Sequence, residues 1–209
     1  MINRFKGPSW TSSHVYGEGE KNIARKLAYY HTPKCASMWT RAYLAQQTKA
    51  DGWESTNFLN EPLDDYTKIV IVRDPVERWI SNCPARERIG NLDSYYLGQV
   101  FADLKSWQWD EHSAPQFDFI NGLDLSNAVY FMCDNTLSVK MQHFFHSQGF
   151  ENYQAPEIIN EKSNDSLTQQ SSETWRNILS KPEYFNQFKI AYKQDYDFLE
   201  SIELYNISN

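Results

Sequence analysis

The sequence predicts a three-layer α/β fold in which helices flank a central parallel sheet. Two units of strand, turn and helix support this prediction, one starting at Lys26 and one at Lys68. In the second unit, residues Ile69–Val72 form an uninterrupted β-branched run, which is typical of a strand buried on both faces. Because strands that alternate with helices usually build a parallel sheet, the pattern favours this fold class.

The two helices that follow these strands have recognisable beginnings. The first is predicted from Ser37 to about Gln47, because four residues fall on one side at helical spacing. These residues are Trp39, Ala42, Tyr43 and Gln46. For the second helix, Asp74 occupies the N-cap, Pro75 the first helical position and Glu77 the third. Both helices therefore begin directly after a strand or its turn.

The rest of the chain continues the alternation, and a single domain over residues 1–209 is expected from its length. Helices are predicted over Asp93–Trp107, Asn135–His146 and Pro182–Ser201, and a further buried strand over Ala128–Met132. The polar stretch Asn160–Glu173 predicts a long loop that runs into a helix, with a mobile lid as the alternative to a plain solvated connection.

Composition excludes several classes of protein. The chain has 209 residues, 41% hydrophobic and 22% charged, which is ordinary for a globular protein and not for a collagen, a coiled coil or a disordered chain. With 20 Lys and Arg against 27 Asp and Glu, its net charge is −7. That charge disfavours binding of nucleic acid or another polyanion by the molecule as a whole. Any anion site must therefore be local.

Cysteine usage and hydropathy point to a cytoplasmic protein. The three cysteines, Cys35, Cys83 and Cys133, are an odd number without close spacing, so reduced thiols are expected rather than a disulfide framework. No spacing typical of a structural zinc site occurs. The first residues lack the apolar core of a signal peptide, and no run of 18 apolar residues suggests a membrane span.

Charged and hydroxyl residues follow both strands, where ligands bind in open parallel sheets. After the first strand come Lys34, the amides of residues 35–38 and the Ser37 hydroxyl, which together suit an anion at a helix N-terminus. After the second come Arg73, Arg78 and Ser81, which suit a phosphate dianion. Two anion sites at neighbouring strand ends predict one ligand with two separated anionic groups. The GxxxxGK[ST] sequence of ATP- and GTP-binding loops does not occur.

These two segments resemble the nucleotide-binding motifs of sulfotransferases that use 3′-phosphoadenosine 5′-phosphosulfate (PAPS). Residues 32–39, TPKCASMW, look like the 5′-phosphosulfate loop of that family, and residues 73–81, RDPVERWIS, are similar to its 3′-phosphate motif. Two weaker similarities follow. Residues 112–116, HSAPQ, match the HxxPQ segment of Golgi-type carbohydrate sulfotransferases, and Pro156 with residues 160–163, NEKS, resembles an element near the cofactor. The motifs occur in family order and span most of the chain.

The resemblance implies a small soluble sulfotransferase with a P-loop-like fold that needs no metal ion. Lys34 and the loop amides would stabilise charge on the leaving phosphate, while Arg73 and Ser81 would hold the 3′-phosphate with support from Arg78. The cofactor-binding residues that it implies are Pro33, Lys34, Cys35, Ala36, Ser37, Met38, Trp39, Arg73, Arg78, Ser81, Asn160, Lys162 and Ser163. Met38 departs from the family pattern, which often has a small hydroxyl residue at that position.

A general base must accept the proton of the attacking acceptor, and family members use a Glu or His, often between the two main motifs. The acidic candidates in that interval are Glu54, Glu61, Asp64 and Asp65. Glu61, shortly before the buried strand, is the first candidate, and His112 is the second because its near-neutral pKa suits a base. Each also has an ordinary interpretation, Glu61 as a solvated residue and His112 as a surface histidine.

The predicted acceptor is a carbohydrate or another small molecule that presents a hydroxyl or an amine. The carbohydrate preference rests on the HxxPQ resemblance alone. Two other functions stay open at this point: a catalytically silent nucleotide-binding or interaction protein that retains the PAPS loops, and a P-loop kinase that acts on a small metabolite with ATP and Mg²⁺.

Overall fold

The computed structural model describes residues 17–58, 63–81, 114–154 and 166–207 of the chain. The strands in this part are β1 (Glu18–Asn22), β2 (Leu27–Tyr30), β3 (Trp53–Asn57), β4 (Thr67–Val72) and β5 (Ala128–Met132). The helices are α1 (Ser37–Asp51), α2 (Pro75–Ile80), α3 (Phe117–Ile120), α4 (Leu137–Ser147), α5 (Ser166–Leu179), α6 (Pro182–Ala191) and α7 (Lys193–Ser201). The architecture is therefore α/β, as predicted.

The described residues group into two compact units. The sheet unit comprises residues 17–58, 63–74, 119–154 and 201–207, and the helical unit comprises residues 75–81, 114–118 and 166–200. The predicted single domain over residues 1–209 stays a prediction. Within the described ranges, no helix combines the length and apolar character needed to cross a membrane.

The sheet is open and mixed, with strand order β3-β1-β2-β4-β5. Strands β2, β4 and β5 are parallel to one another, which agrees with the prediction. Strand β1, however, pairs antiparallel with both β2 and β3, so the sheet is mixed and the prediction of a central parallel sheet holds only for its inner strands β2 and β4 with β5. The sequences of β1 and β3, EGEKN and WESTN, carry neither an apolar run nor a clear alternation, and their hydrogen bonds to the sheet place them.

Strand β4 is buried on both faces, as its sequence predicts. Ile69 and Ile71 belong to a core cluster with Tyr43 of α1, Phe131 of β5 and Phe145 of α4. The alternate residues Val70 and Val72 are also buried. Burial on both faces is typical of a parallel strand in the middle of a sheet.

The remaining predicted elements agree with the structure to different extents. The strand over Ala128–Met132 and the helices beginning at Ser37 and Pro75 are confirmed, and the helix expected from Asn135 corresponds to α4. On α1, Tyr43 is buried as expected but Ala42 is exposed. Helix α5 begins at Ser166, so the loop predicted over Asn160–Glu173 is too long, and its residues 160–165 lie outside the described residues.

The predicted helix over Pro182–Ser201 is two helices, α6 and α7, with a break at Tyr192. The Tyr192 amide donates to the Phe188 carbonyl, and the Asp195 amide donates to the Tyr192 carbonyl, three residues back. This tighter turn starts a new helix and places Asp195 in its first turn. The helix predicted over Asp93–Trp107 lies outside the described residues.

Gly19 lies in β1, at a position where the sheet leaves little room for a side chain. A Cβ atom at this position would overlap the Tyr29 carbonyl oxygen and the Phe58 ring. Because the carbonyl belongs to the backbone of β2 and cannot turn aside, we expect Gly19→Ala to lower the free energy of unfolding by about 2–3 kcal/mol. Urea denaturation measures this change.

Gly52→Ala is the matched control for that substitution. Gly52 has φ +74° and nothing within 4 Å of a built Cβ, so alanine there costs only the left-handed backbone penalty, about 1 kcal/mol. Equal losses of stability in the two variants would show that contact of a Cβ atom with Tyr29 and Phe58 is not the cause of the loss at Gly19.

Candidate functional site

The turn between β2 and α1 is the first predicted anion site. The Cys35 amide donates to the Thr32 carbonyl at 3.2 Å and closes a turn. The Ala36 carbonyl then accepts from both the amide and the hydroxyl of Thr40, at 2.9 and 3.1 Å. Ala36 therefore stands at the start of α1, and the amides of residues 37–39 form its first turn, where a helix has no internal acceptor for its N–H groups.

Two residues of this turn have left-handed backbone conformations although they are not glycines. Lys34 has φ 65° and Ala36 has φ 55°, while Cys35 between them does not have a positive φ. Each such residue costs about 1–2 kcal/mol, and left-handed residues alternating with right-handed ones turn successive amides toward a common concave side. The turn thus combines a strained backbone, a helix N-terminus and a lysine, features that suit an anion.

Arg73 is the residue of the second predicted anion site that lies in the sheet unit, and it contacts the first predicted site. It follows β4, which lies beside β2 in the parallel part of the sheet, and its Nη1 donates to the Lys34 carbonyl at 3.2 Å. Cys133 follows β5 on the other side, and its amide donates to the Val72 carbonyl. Burial raises the pKa of the Cys133 thiol, which the Arg73 charge opposes. The carboxyl ends of all three parallel strands therefore meet around Arg73.

The other residues predicted in the turn differ in their exposure. Pro33, Cys35 and Ser37 are buried, Lys34, Ala36 and Trp39 are half-buried, and Met38 is 83% exposed. The Cys35 side chain is fully buried, which does not suit a nucleophile.

Arg78 and Ser81 lie in the helical unit. Arg78 is buried, its Nη1 donates to the Ala114 carbonyl, and its charge lies beside the buried carboxylate of Asp195. The Ser81 hydroxyl donates to the Arg78 carbonyl at 2.6 Å. Since that hydroxyl has one proton, it must leave the carbonyl before it can donate to a phosphate oxygen.

The remaining predicted site residues lie outside the described residues. They are Glu61 and His112, the two candidates for the general base, and Asn160, Lys162 and Ser163 near the predicted cofactor site.

A charged cluster beside the turn, formed by Glu18, Glu20, His31 and Arg41, was not predicted from the sequence. Register places Glu18 opposite His31 and Glu20 opposite Tyr29, so these side chains share one face of the sheet. Arg41 of α1 donates through Nε to Glu20 at 2.9 Å, and Glu18 Oε2 lies 3.9 Å from His31 Nδ1. Burial raises the pKa of Glu20, which Arg41 opposes. The alternating acidic residues of β1 were the only signal in the sequence.

Several buried polar atoms at this end of the sheet unit have no hydrogen-bond partner among the described residues. They are Glu20 Oε2, His31 Nδ1, Thr32 Oγ1 and Trp39 Nε1. Buried polar atoms are usually paired, and exceptions mark strain, a catalytic role or a bound molecule. Their concentration on β1, the turn and the start of α1 agrees with a functional site at that place.

The state of His31 can be tested through stability. Burial, with a smaller contribution from the Arg41 charge, lowers the pKa of His31 from 6.5 to about 4. The unfolded chain therefore takes up the proton first, so stability from neutral His31 is complete above pH 6.5 and is lost as pH falls toward 4. We expect a loss of about 2 kcal/mol between pH 7.5 and pH 5. Urea unfolding of wild type and His31→Gln at pH 7.5 and pH 5 measures this loss: the difference between their free energies of unfolding should be smaller at pH 5 by this amount. An equal difference at the two pH values would contradict the prediction.

Comparison of the chain with protein-family models, with curated protein sequences and with solved structures finds no match.

Proposed function

We propose that this protein is a sulfotransferase that uses PAPS as the sulfuryl donor. The observation that carries the proposal is the contact between Arg73 and the Lys34 carbonyl, at 3.2 Å. It brings together the two segments whose sequences resemble the 5′-phosphosulfate and 3′-phosphate motifs of that family. A ligand with two separated anionic groups, such as PAPS, fits two cationic segments that meet at the ends of neighbouring parallel strands.

The turn fits the 5′ end of this donor. Lys34 supplies a positive charge, and the amides at the start of α1 supply donors whose direction the left-handed residues fix in advance. PAPS, when bound, supplies an activated sulfuryl group whose departure leaves negative charge on the 5′-phosphate. Preorganised donors at that position lower the barrier because they need not rearrange as the charge develops. The unpaired Thr32 hydroxyl is a further donor in the same turn.

Arg73 fits the 3′-phosphate, because a guanidinium at a strand end can donate two parallel hydrogen bonds to a phosphate. Its link to Lys34 would make the two anion sites interdependent. For Arg78 we favour a structural role within the helical unit, because its guanidinium is buried between the Ala114 carbonyl and Asp195. Ser81, Asn160, Lys162 and Ser163 stay proposed ligands on the basis of resemblance.

The proposed acceptor is a carbohydrate or another small molecule with a hydroxyl or an amine. A net charge of −7 disfavours a heavily sulfated polymer, which the whole molecule would repel.

Thermal unfolding with adenosine 3′,5′-bisphosphate, the product that PAPS leaves, tests the donor site. At 100 times its dissociation constant the bisphosphate adds about 2.7 kcal/mol of stability, which for a chain of this size raises the midpoint by about 5–11 °C. We expect this rise in wild type and its loss in Lys34→Ala and Arg73→Ala.

Parallel samples separate the proposal from the two other functions. A rise with ATP and Mg²⁺ but none with the bisphosphate would indicate a kinase and overturn the proposal. A rise with the bisphosphate, followed by no transfer of labelled sulfuryl group to any member of a panel of sugars, alcohols and amines, would indicate a silent binding protein.

A further inference from the structure

His31 stands where β2 ends and the turn begins, three residues before Lys34. Its amide donates to the Glu18 carbonyl at 3.0 Å, which ties the residue directly after β2 to β1. The backbone of this histidine is therefore held by the sheet, while the chain that follows forms the proposed donor site. The side chain of His31 therefore extends from a backbone that the sheet holds in place, close in sequence to the proposed donor site.

The two ring nitrogens of His31 have different surroundings. Nδ1 is buried, with Glu18 Oε2 at 3.9 Å, whereas 12% of the side chain as a whole stays exposed. At 3.9 Å the two atoms are too far apart for a hydrogen bond, so the carboxylate can act on the ring only through its charge. A negative charge beside Nδ1 favours the tautomer that has its proton there, and this leaves a lone pair on Nε2.

We propose that His31, oriented by Glu18, is the general base that accepts the proton of the attacking hydroxyl. This inference rests on the proposed function. The acceptor oxygen forms a bond to sulfur as the bond between sulfur and the 5′-phosphate oxygen breaks, and the electron pair of that bond leaves on the phosphate. The hydroxyl proton passes to Nε2 of His31 and from there to solvent.

The surrounding charges suit this role. Glu18 and Glu20 face His31 from β1, Arg41 faces it from α1, and Lys34 follows in the turn. Burial and Arg41 lower the pKa of His31, so the ring is neutral and able to accept a proton across the physiological range. An anion bound at the turn favours the imidazolium and raises the pKa again, which strengthens the base when the donor is present.

The first test is the tautomer of His31, read from the ¹⁵N chemical shifts of the ring at pH 7.5. We expect a proton on Nδ1 and none on Nε2 in wild type, with His31→Gln identifying the signals among the five histidines. Glu18→Gln should shift the ring toward the Nε2-protonated form. Glu54→Gln removes a carboxylate from β3, where Glu54 pairs with Lys21, and should leave the tautomer unchanged. A proton on Nε2 in wild type would overturn the inference.

The second test is the titration of His31 with and without adenosine 3′,5′-bisphosphate. We expect the bisphosphate to raise the midpoint by about one pH unit, as a nearby opposite charge does. His31→Gln should bind the bisphosphate as wild type does, yet transfer the sulfuryl group to an identified acceptor about 10²–10⁴-fold more slowly.

The outcomes separate the two proposals. If the bisphosphate fails to raise the thermal midpoint of wild type, the proposed function fails, and the general-base role fails with it. If the bisphosphate binds but the His31 midpoint does not move, the donor site stands and the role of His31 is overturned. If the bisphosphate raises both the thermal midpoint and the titration midpoint of His31, and Nε2 carries no proton, the proposed function and the general-base role are both supported.

Discussion

Replacing Asp195 with alanine is expected to lower the free energy of unfolding by about 3–5 kcal/mol. Its two carboxylate oxygens accept the amides of Gln116 and Phe117, each at 2.9 Å, and its charge lies beside the buried guanidinium of Arg78. Alanine leaves two buried amides without acceptors and Arg78 without its neighbouring negative charge. Urea denaturation followed by circular dichroism measures the loss.

This loss should depend on pH in a defined direction. Burial raises the pKa of Asp195 from 3.8 to about 6, although Arg78 and the two amides oppose the rise. The folded state therefore binds the proton first, so the contribution of this group to stability grows as pH falls from 6 toward 4. We expect Asp195→Ala to cost about 1 kcal/mol more at pH 5 than at pH 7.5.

Asp197→Ala is the matched control on the same helix. Asp197 is exposed and pairs with Lys193 one turn earlier, so its loss should change stability by less than about 0.5 kcal/mol.

The interaction between Asp195 and Arg78 is tested by combining Asp195→Ala with Arg78→Met. If the two losses simply add, Arg78 and Asp195 do not depend on each other, and the loss in Asp195→Ala has another cause.

Replacing Arg73 with alanine is expected to weaken binding of adenosine 3′,5′-bisphosphate about 100-fold. Charge-assisted hydrogen bonds contribute about 1.5–3 kcal/mol each, and this guanidinium would serve both the 3′-phosphate and the Lys34 carbonyl. Arg73→Lys keeps the charge but loses the fork of donors, so it should recover only part of the affinity. Isothermal calorimetry gives the dissociation constants.

Lys34 and Lys26 provide an internal comparison for that measurement. Both have left-handed backbones, with φ 65° and 52°, and they flank β2 at its carboxyl and amino ends. Lys26 pairs with Asp65 on the surface. Lys34→Ala should weaken the bisphosphate about 10-fold or more, whereas Lys26→Ala should leave it unchanged. If the two substitutions raised the dissociation constant of the bisphosphate equally, the net charge of the protein, and not the turn, would attract the ligand.

Local sequence predicted the elements whose signals are local. The apolar run of β4 predicted a strand buried on both faces, and Pro75 predicted the first residue of α2. Lys34 and Arg73 are predicted site residues because they follow strands, and parallel strands bring their carboxyl ends to one edge of a sheet. These are properties that a short segment carries within itself.

The helix break at Tyr192 shows where local signals fail. Phe188, Tyr192 and Tyr196 continue a helical apolar pattern without interruption, yet the chain starts a new helix at Lys193. The new helix is stabilised by a contact with a distant segment, because Asp195 accepts hydrogen bonds from the amides of Gln116 and Phe117. A pattern of period 3.6 cannot report a contact with a segment so far away in sequence.

Local sequence specifies the α/β class, the parallel strands β2, β4 and β5, and the residues that end them, because burial and helix capping depend on neighbouring residues. The folded structure, in contrast, places the antiparallel strands β1 and β3, whose polar sequences acquire their position from hydrogen bonds to other strands. It also decided the pairs Glu18 with His31 and Arg78 with Asp195. Such pairs arise from strand register and helix packing, which join residues that the chain keeps apart.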